Sequence, residues 1–80
     1  MKITITIVQP FTQKEFDIQV NHTQRIRTTL HVLAEAVPEL KGVDQAKKIR
    51  VRSTGRQYST DITYEHAGIY TGAVITPVLA

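Results

Sequence analysis

Alternating apolar and polar residues open the chain and predict a β-hairpin. The first apolar positions are isoleucines two residues apart: Ile3, Ile5 and Ile7. A second alternating set follows a turn around Pro10: Phe16, Ile18 and Val20. A period of two in β-branched and aromatic residues is typical of strands with one buried face. The two segments therefore predict an N-terminal hairpin that is apolar on one side.

The period then changes to that of an α-helix. The apolar residues are spaced four, three and four apart, which places them on one helical face: Ile26, Leu30, Leu33 and Val37. We expect Thr23 to be the N-cap, with Asn21 as the alternative, because both side chains can accept a hydrogen bond from the first turn. Pro38 predicts that the helix ends near Val37.

Three further strands are predicted in the second half of the chain. A polar connection over 39–47, with Leu40 and Val43 buried beneath it, leads to an alternating strand over 48–52. A turn at 53–56 and a short edge strand at 57–59 follow, then a loop over 60–72 and a last strand from 73 to about 79. Pro77 cannot donate to a ladder, so either pairing stops near Thr76 or a bulge lies there.

The order β-β-α-β-β-β, with single-sided apolar faces, predicts an α+β fold in which one helix covers one face of a mixed five-stranded sheet. Residues 1–80 make one domain, because two domains of half this length could not each bury a useful core.

No cysteine is present, which excludes disulfides, thiolate metal sites and thioester chemistry and favours a cytoplasmic protein. The chain has neither a signal-peptide pattern nor an apolar stretch of about 18 residues.

No constellation of catalytic residues or metal ligands is recognisable. His22, His31 and His66 match no metal-ligand spacing, and we expect them on the surface. Asp61 and Glu65 could approach each other, but a carboxylate pair without a pocket is ordinarily solvated surface. No nucleophile elbow and no glycine-rich phosphate loop occurs. We therefore predict a protein that is not an enzyme, with no catalytic residue, no cofactor and no metal.

Positive charge is concentrated in one segment. The net charge is +3, and all six bases of the second half of the chain lie between Lys41 and Arg56. If the apolar residues of the third strand face the helix, its basic residues must face the open side of the sheet. The candidate protein-binding residues are these bases and two outward valines of the last strand: Lys48, Arg50, Arg52, Arg56, Val74 and Val78.

Three interpretations of this basic strand stay open. The charges can simply discourage edge-to-edge pairing of an exposed sheet, or they can bind an acidic protein surface. They can also neutralise phosphates of a nucleic acid. No aromatic residue interleaves with the bases, although Tyr58, Tyr64 and Tyr70 follow in the chain and could stack on bases.

The order of elements resembles that of ubiquitin, and the chain resembles more closely the YukD/EsaB family, small ubiquitin-like proteins of bacterial type VII secretion systems. Besides the opening hairpin, the resemblance rests on three segments: Ile18-Gln19-Val20, Lys48-Ile49-Arg50-Val51 and Gly68-Ile69-Tyr70-Thr71-Gly72. It implies a ubiquitin-like β-grasp fold in which Ile69 plugs the core while Gly68 and Gly72 adopt turn conformations.

The resemblance also implies a function. The protein would be a non-enzymatic, cytoplasmic accessory and regulatory component of a type VII secretion system. Its partners would be cytoplasmic domains of secretion membrane proteins or the secretion ATPase, which would hold it at the inner face of the membrane without insertion. The sequence ends in Thr76-Pro77-Val78-Leu79-Ala80 and lacks a Gly-Gly tail, so we expect no covalent conjugation. The alternative function is a nucleic-acid-binding regulator that uses residues 48–56.

Overall fold

The sheet contains five strands and carries a single long helix on one face. The computed structural model describes residues 1–79. Its elements are, in chain order, β1 (Lys2–Val8), β2 (Glu15–Asn21), α1 (Ile26–Ala36), β3 (Lys48–Val51), β4 (Gln57–Ser59), α2 (Tyr64–Ala67) and β5 (Val74–Val78). The strand order is β2-β1-β5-β3-β4, with β1 and β5 parallel and the other pairs antiparallel. The predicted α+β class and β-grasp architecture are confirmed. None of the helices formed by residues 1–79 is both long enough and apolar enough to cross a membrane.

The core lies between α1 and the sheet. Its fully buried side chains come from the sheet, from α1 and from the connection after α1, and they include Ile5, Ile7, Ile26, Leu30, Leu40, Val43, Ile49 and Ile75. Leu40 and Val43 are buried, as predicted, and they belong to two short 3-10 turns, Pro38–Leu40 and Val43–Gln45. Each such side chain contributes about 1.5–3 kcal/mol through its burial.

The N-terminus of α1 is capped by distant backbone, so the predicted caps are wrong. Arg25 occupies the N-cap position and makes no side-chain capping bond. The Ile26 amide donates to the Ile62 carbonyl at 3.0 Å, and the Arg27 amide donates to the Thr60 carbonyl at 2.8 Å. Free N–H groups at a helix start need acceptors, and here tertiary structure supplies them.

The residues expected as caps build a local turn instead. The Asn21 side-chain oxygen accepts from the Thr23 amide at 3.1 Å and from the Thr23 hydroxyl at 2.9 Å. Asn and Ser/Thr side chains often compete for nearby backbone in this way. The C-terminal boundary agrees with the prediction, because α1 ends at Ala36 and Pro38 opens the next turn.

A second helix, α2, lies inside the segment predicted as a loop. The Thr63 hydroxyl caps it by accepting from the His66 amide at 3.1 Å, and Gly68 ends it in a left-handed conformation (φ 70°). A helix of one turn has no apolar period to recognise, which is why the sequence pattern did not predict it.

The segment after α2 fastens the long connection to the core. Ile69 is 2 % exposed, and Gly72 has a φ of 95°, a value that favours glycine. The Gly72 amide donates to the Thr4 carbonyl at 2.9 Å, and the Thr4 amide donates to the Thr71 hydroxyl at 3.2 Å. The loop is therefore bonded to β1 immediately before β5 begins.

Pro77 neither ends nor bulges β5, contrary to both alternatives. The register with β3 continues unbroken through Ile49↔Pro77 to Lys48↔Val78. The Arg52 amide donates to the Val74 carbonyl at 2.9 Å, so this residue pair is hydrogen-bonded. Hydrogen-bonded and non-hydrogen-bonded pairs alternate along an antiparallel ladder, and the pair of Ile49 and Pro77 is therefore non-hydrogen-bonded. Pairing of β5 with β1 extends to Ile75, so no ladder bond needs a Pro77 amide.

Tyr64 is fully buried with its hydroxyl unpaired in regular hydrogen-bond geometry. Burial raises the pKa of the Tyr64 phenol to about 12 from its ordinary 10.0, and the nearby Thr29 hydroxyl partly opposes this shift. The folded protein therefore holds this proton more tightly than the unfolded chain does.

Truncation of Ile69 tests how much the turn after α2 contributes to the core. We expect Ile69→Ala to lower the free energy of unfolding by about 3 kcal/mol, because it leaves a cavity beneath the turn. Val32→Ala, at a helix position that is 55 % exposed, is the matched control and should cost less than about 1 kcal/mol. Urea unfolding followed by circular dichroism measures both; equal losses would contradict the role of Ile69.

Alkaline unfolding tests the Tyr64 environment. The pKa of Tyr64 is higher in the folded protein than in the unfolded chain. The free energy of unfolding therefore keeps the full contribution of the neutral phenol below pH 10 and decreases as the pH rises further, by about 2 kcal/mol at pH 12. Tyr64→Phe should remove this portion of the alkaline loss and change stability at pH 7 by less than about 1 kcal/mol. Tyr70→Phe, at a 58 % exposed position, should keep the wild-type alkaline slope. An identical slope in Tyr64→Phe would contradict the assignment.

Candidate protein-binding surface

The face of the sheet opposite α1 is uncovered, and we call it the open face. The alternation of each strand places every second residue there, and apart from Val8, which is buried, these side chains are exposed or half-buried. Its members on β1, β2, β3 and β5 are Lys2, Thr4, Thr6, Glu15, Asp17, Gln19, Lys48, Arg50, Val74, Thr76 and Val78.

The candidate bases of β3 lie on the open face beside β5. Lys48 pairs in register with Val78, and Arg50 pairs with Thr76. The intervening Ile49 and Val51 are buried, so Arg50 points outward. The strand arrangement therefore brings Lys48 and Arg50 next to the outward side chains of β5, as the alternation predicted.

The other two candidate arginines lie beyond the end of β3, and only Arg52 continues this row. β3 ends at Val51, one residue before the predicted boundary, and Arg52 begins the turn, although its amide still bonds to Val74. Arg56 is exposed beyond the turn, where its carbonyl accepts from the Val51 amide at 2.9 Å. Arg56 thus continues the β3–β4 register opposite the buried Val51, and it does not lie in the row of Lys48 and Arg50.

An ion pair crosses the open face between its two sides. Arg52 Nη2 lies 3.8 Å from Glu15 Oε2, although β5 and β1 separate their strands. Both side chains are more than half exposed, so the pair contributes about 0–1 kcal/mol. Asp17, also on β2, accepts from the Thr6 hydroxyl at 2.6 Å. The open face thus has a basic side on β3 and an acidic side on β2.

Phe11 is an exposed aromatic residue that the pattern of apolar positions did not predict as part of a binding surface. It is 77 % exposed in the β1–β2 turn, which the buried Gln9 side chain holds by accepting from the backbone amides of Phe11 and Thr12. Phe11 lines an open groove of about 410 Å³ together with Arg50 and Val78. An aromatic residue after a proline in a polar turn is the signal that could have identified it.

The remaining titratable residues described by the structure lie in surface contacts with one another. Among residues 1–79, no three histidine or carboxylate side chains converge on a common point. His31 is exposed between Glu35 and Asp44, with its ring nitrogens 3.3 and 3.8 Å from their carboxylate oxygens. Asp61 pairs instead with Arg27 at 2.8 Å. The contact of Arg27 with Asp61 is an ordinary surface ion pair, and the His31 contacts are exposed polar contacts.

His22 is buried, contrary to the expectation of a surface residue. It is 3 % exposed and packs against the Tyr70 ring, with ring centroids 4.9 Å apart. Tyr64 is buried, and Tyr70, although exposed, lies against His22 after β2, on the other side of the sheet from the basic strand β3. Tyr58 is half-buried on β4. The arrangement lacks the row of exposed aromatic rings that single-stranded nucleic acids stack on.

A plant protein is similar to nearly the whole chain. The NEDD8-like protein RUB3 of Arabidopsis thaliana is 30 % identical over 73 residues, which cover 91 % of this chain and 87 % of the relative. No protein-family model matches the chain.

Solved structures of ubiquitin-like domains share the fold. The C-terminal ubiquitin-like domain of mouse tubulin-specific chaperone e superposes with a TM-score of 0.76 at 11 % identity, covering 100 % of this chain and 88 % of that one. The ubiquitin-like domain of Plasmodium falciparum Dsk2 superposes with a TM-score of 0.69 at 16 % identity, covering 98 % and 100 %.

These similarities support the ubiquitin-like part of the resemblance seen in the sequence, and the finer assignment to the YukD/EsaB family stays a proposal. Domains of this fold generally mediate protein–protein interactions without catalysing a reaction. On the extent of the match to the plant relative and on its β-grasp topology, the chain belongs to the ubiquitin-like protein family.

Proposed function

We propose that this chain is a non-enzymatic interaction module that binds another protein through the open face, as a cytoplasmic accessory component of a type VII secretion system. The observation that carries the binding proposal is the chemistry of that face. Among residues 1–79, no carboxylate lies within 4.0 Å of the Lys48 or Arg50 charged groups, and both side chains adjoin the half-buried Val78 and Thr76.

The surface favours an acidic partner with an apolar centre. Arg50 offers planar, bidentate donors for carboxylates and an apolar stem that can pack beside Val78. Phe11 and Val78 provide the apolar contact area, and aromatic and arginine side chains are enriched at such interfaces. Arg52 is already paired with Glu15, so we assign the main electrostatic role to Lys48 and Arg50.

The secretion-system part of the proposal is supported by the sequence resemblance. Its most specific segment, Gly68 to Gly72, forms the turn that bonds to β1 and positions β5. The partner would be a cytoplasmic domain of a secretion membrane protein or the secretion ATPase. Binding would be non-covalent and would bring the protein to the inner face of the membrane through that partner.

Charge reversal at the centre of the basic row tests the proposal. We expect Arg50→Glu to reduce recovery of secretion components from native cytoplasm and membranes at least about tenfold, as loss of a central interface arginine does. Lys41→Glu is the matched control, since it changes net charge equally at an exposed position outside the open face, and it should bind like the wild type. Quantitative mass spectrometry of the captured proteins measures both.

Other outcomes would contradict specific parts of the proposal. If the wild type captures an acidic protein from outside the secretion system and Arg50→Glu does not, the result would support binding through the open face. It would contradict the assignment to a secretion system. Gel-shift binding of nucleic acid that weakens steeply with salt and is lost in Arg50→Glu would support the regulator alternative. Higher-mass adducts on a denaturing blot would show covalent conjugation and contradict non-covalent docking.

A further inference from the structure

Two cross-strand rows of side chains run over the open face from β2 to β3. The first row comprises Glu15, Val8, Thr76 and Arg50, and the second comprises Asp17, Thr6, Val74 and Arg52. In each row an acidic residue lies on β2, and a basic residue lies on β3 or directly after it. The residues between them carry no charge. Both rows are therefore negative at β2 and positive at β3.

The middle of the open face is uncharged along both cross-strand rows. The outward residues of β5 are Val74, Thr76 and Val78, and those of β1 are threonines apart from the buried Val8 and the terminal Lys2. Lys2 lies at the far end of β1, away from both rows. Two copies of the chain that met along β1 and β5 would therefore place uncharged side chains, and not like charges, at the centre of their contact.

A two-fold axis parallel to the strands makes this face complementary to itself. Rotation about such an axis, placed between β1 and β5, turns a second copy face down and exchanges its two flanks while each row keeps its height. The acidic flank of each copy then lies over the basic flank of the other. An axis in the same plane but perpendicular to the strands would place acid over acid and base over base. Charge therefore selects the first orientation.

We infer that the open face binds a second copy of this chain in a face-to-face dimer with two-fold symmetry. Glu15 of each copy pairs with Arg50 of the other copy, and Asp17 pairs with Arg52. The two sheets then pack with nearly aligned strands, as in β-sandwiches. The inference does not rest on the proposed function, although the second copy would compete with an acidic partner for Arg50.

The charged side chains can reach across such an interface. Sheets packed face to face lie about 10 Å apart, a distance that an extended arginine and a carboxylate side chain span together. All four charged residues of the two rows are exposed. Within one copy, Glu15 lies 3.8 Å from Arg52 in an exposed pair that contributes little to stability. Exchanging that contact for one to Arg50 of a second copy therefore costs little.

The expected dimer is transient. The molecule measures 27 × 24 × 20 Å, so one face is no larger than the roughly 800 Å² that each partner buries in a standard interface. Sedimentation of the purified chain should show monomers at micromolar concentration and dimers towards millimolar concentration at low salt. Raising the salt from about 20 to about 500 mM should weaken the dimer at least about fivefold, because exposed charge pairs are screened.

NMR locates the interface in the wild-type protein. In a dilution series of the ¹⁵N-labelled chain, the amide signals of Thr6, Val74 and Arg50 should shift with concentration. The amide of His31, on an exposed position of α1 outside the open face, should not shift.

Complementary charge reversals test the pairing. Arg50→Glu with Arg52→Glu makes both flanks acidic, and Glu15→Lys with Asp17→Lys makes both flanks basic. Each double variant alone should dimerise at least about tenfold more weakly than the wild type, because like charges then face each other. An equimolar mixture of the two should form a heterodimer at least as strong as the wild-type dimer, which would also show that both variants fold.

A control variant separates the open face from net charge. Arg25→Glu with Lys41→Glu changes the net charge as much as the acidic double variant does, at exposed positions outside the open face. It should dimerise within about twofold of the wild type at high salt, where long-range charge is screened. Mixed with the basic double variant, it should bind at least about fivefold more weakly than the acidic double variant does, because half of its contacts place base over base.

Several outcomes would overturn the inference. These are a wild-type chain that stays monomeric at millimolar concentration and low salt, a dimer that the acidic double variant retains, or a mixture of the two double variants that does not associate. Concentration-dependent shifts confined to α1 or to the β4 edge would place any dimer elsewhere. All of these measurements use the purified chain alone, so their failure is distinct from failure to capture a secretion component.

Discussion

The structure depends on the parallel pairing of the first and last strands at the centre of the sheet. Thr6 and Ile7 of β1 pair with Val74 and Ile75 of β5, although nearly the whole chain separates them. Closing so long a loop costs conformational entropy, and the burial of isoleucines from both strands offsets that cost. Every other strand is then placed outward from this central pair, with β2 beyond β1 and β3 beyond β5.

This central pair also decides how charge is distributed on the uncovered side of the sheet. It holds the acidic residues of β2 and the basic residues of β3 on opposite flanks, two strands apart. Only a long pair such as Arg52 and Glu15 reaches across. The result is an open face with a basic flank on β3 and an acidic flank on β2. Two flanks of opposite charge thus arise from one strand order.

The long connection between β4 and β5 stabilises the fold through its backbone as well as its side chains. Its carbonyls cap α1, its short helix buries Tyr64, and its final segment buries Ile69 and then bonds to β1 before β5 begins. A segment without an apolar period therefore organises both the helix and the central strand. The buried, unpaired Tyr64 hydroxyl is tolerated because the rest of that ring removes a large apolar area from water.

The sequence by itself determined the strands, the position of α1 and the side of the sheet on which Arg50 lies, because periods of two and of 3.6 residues report directly which faces are buried. It also indicated which residues carry positive charge. Only the tertiary structure decided the capping of α1 by the Thr60 and Ile62 carbonyls, the burial of His22, the pairing of Arg52 with Glu15 and the tolerance of Pro77. Each of these depends on groups that are distant in the chain or on the phase of a hydrogen-bond ladder, and a local pattern of apolar residues contains neither.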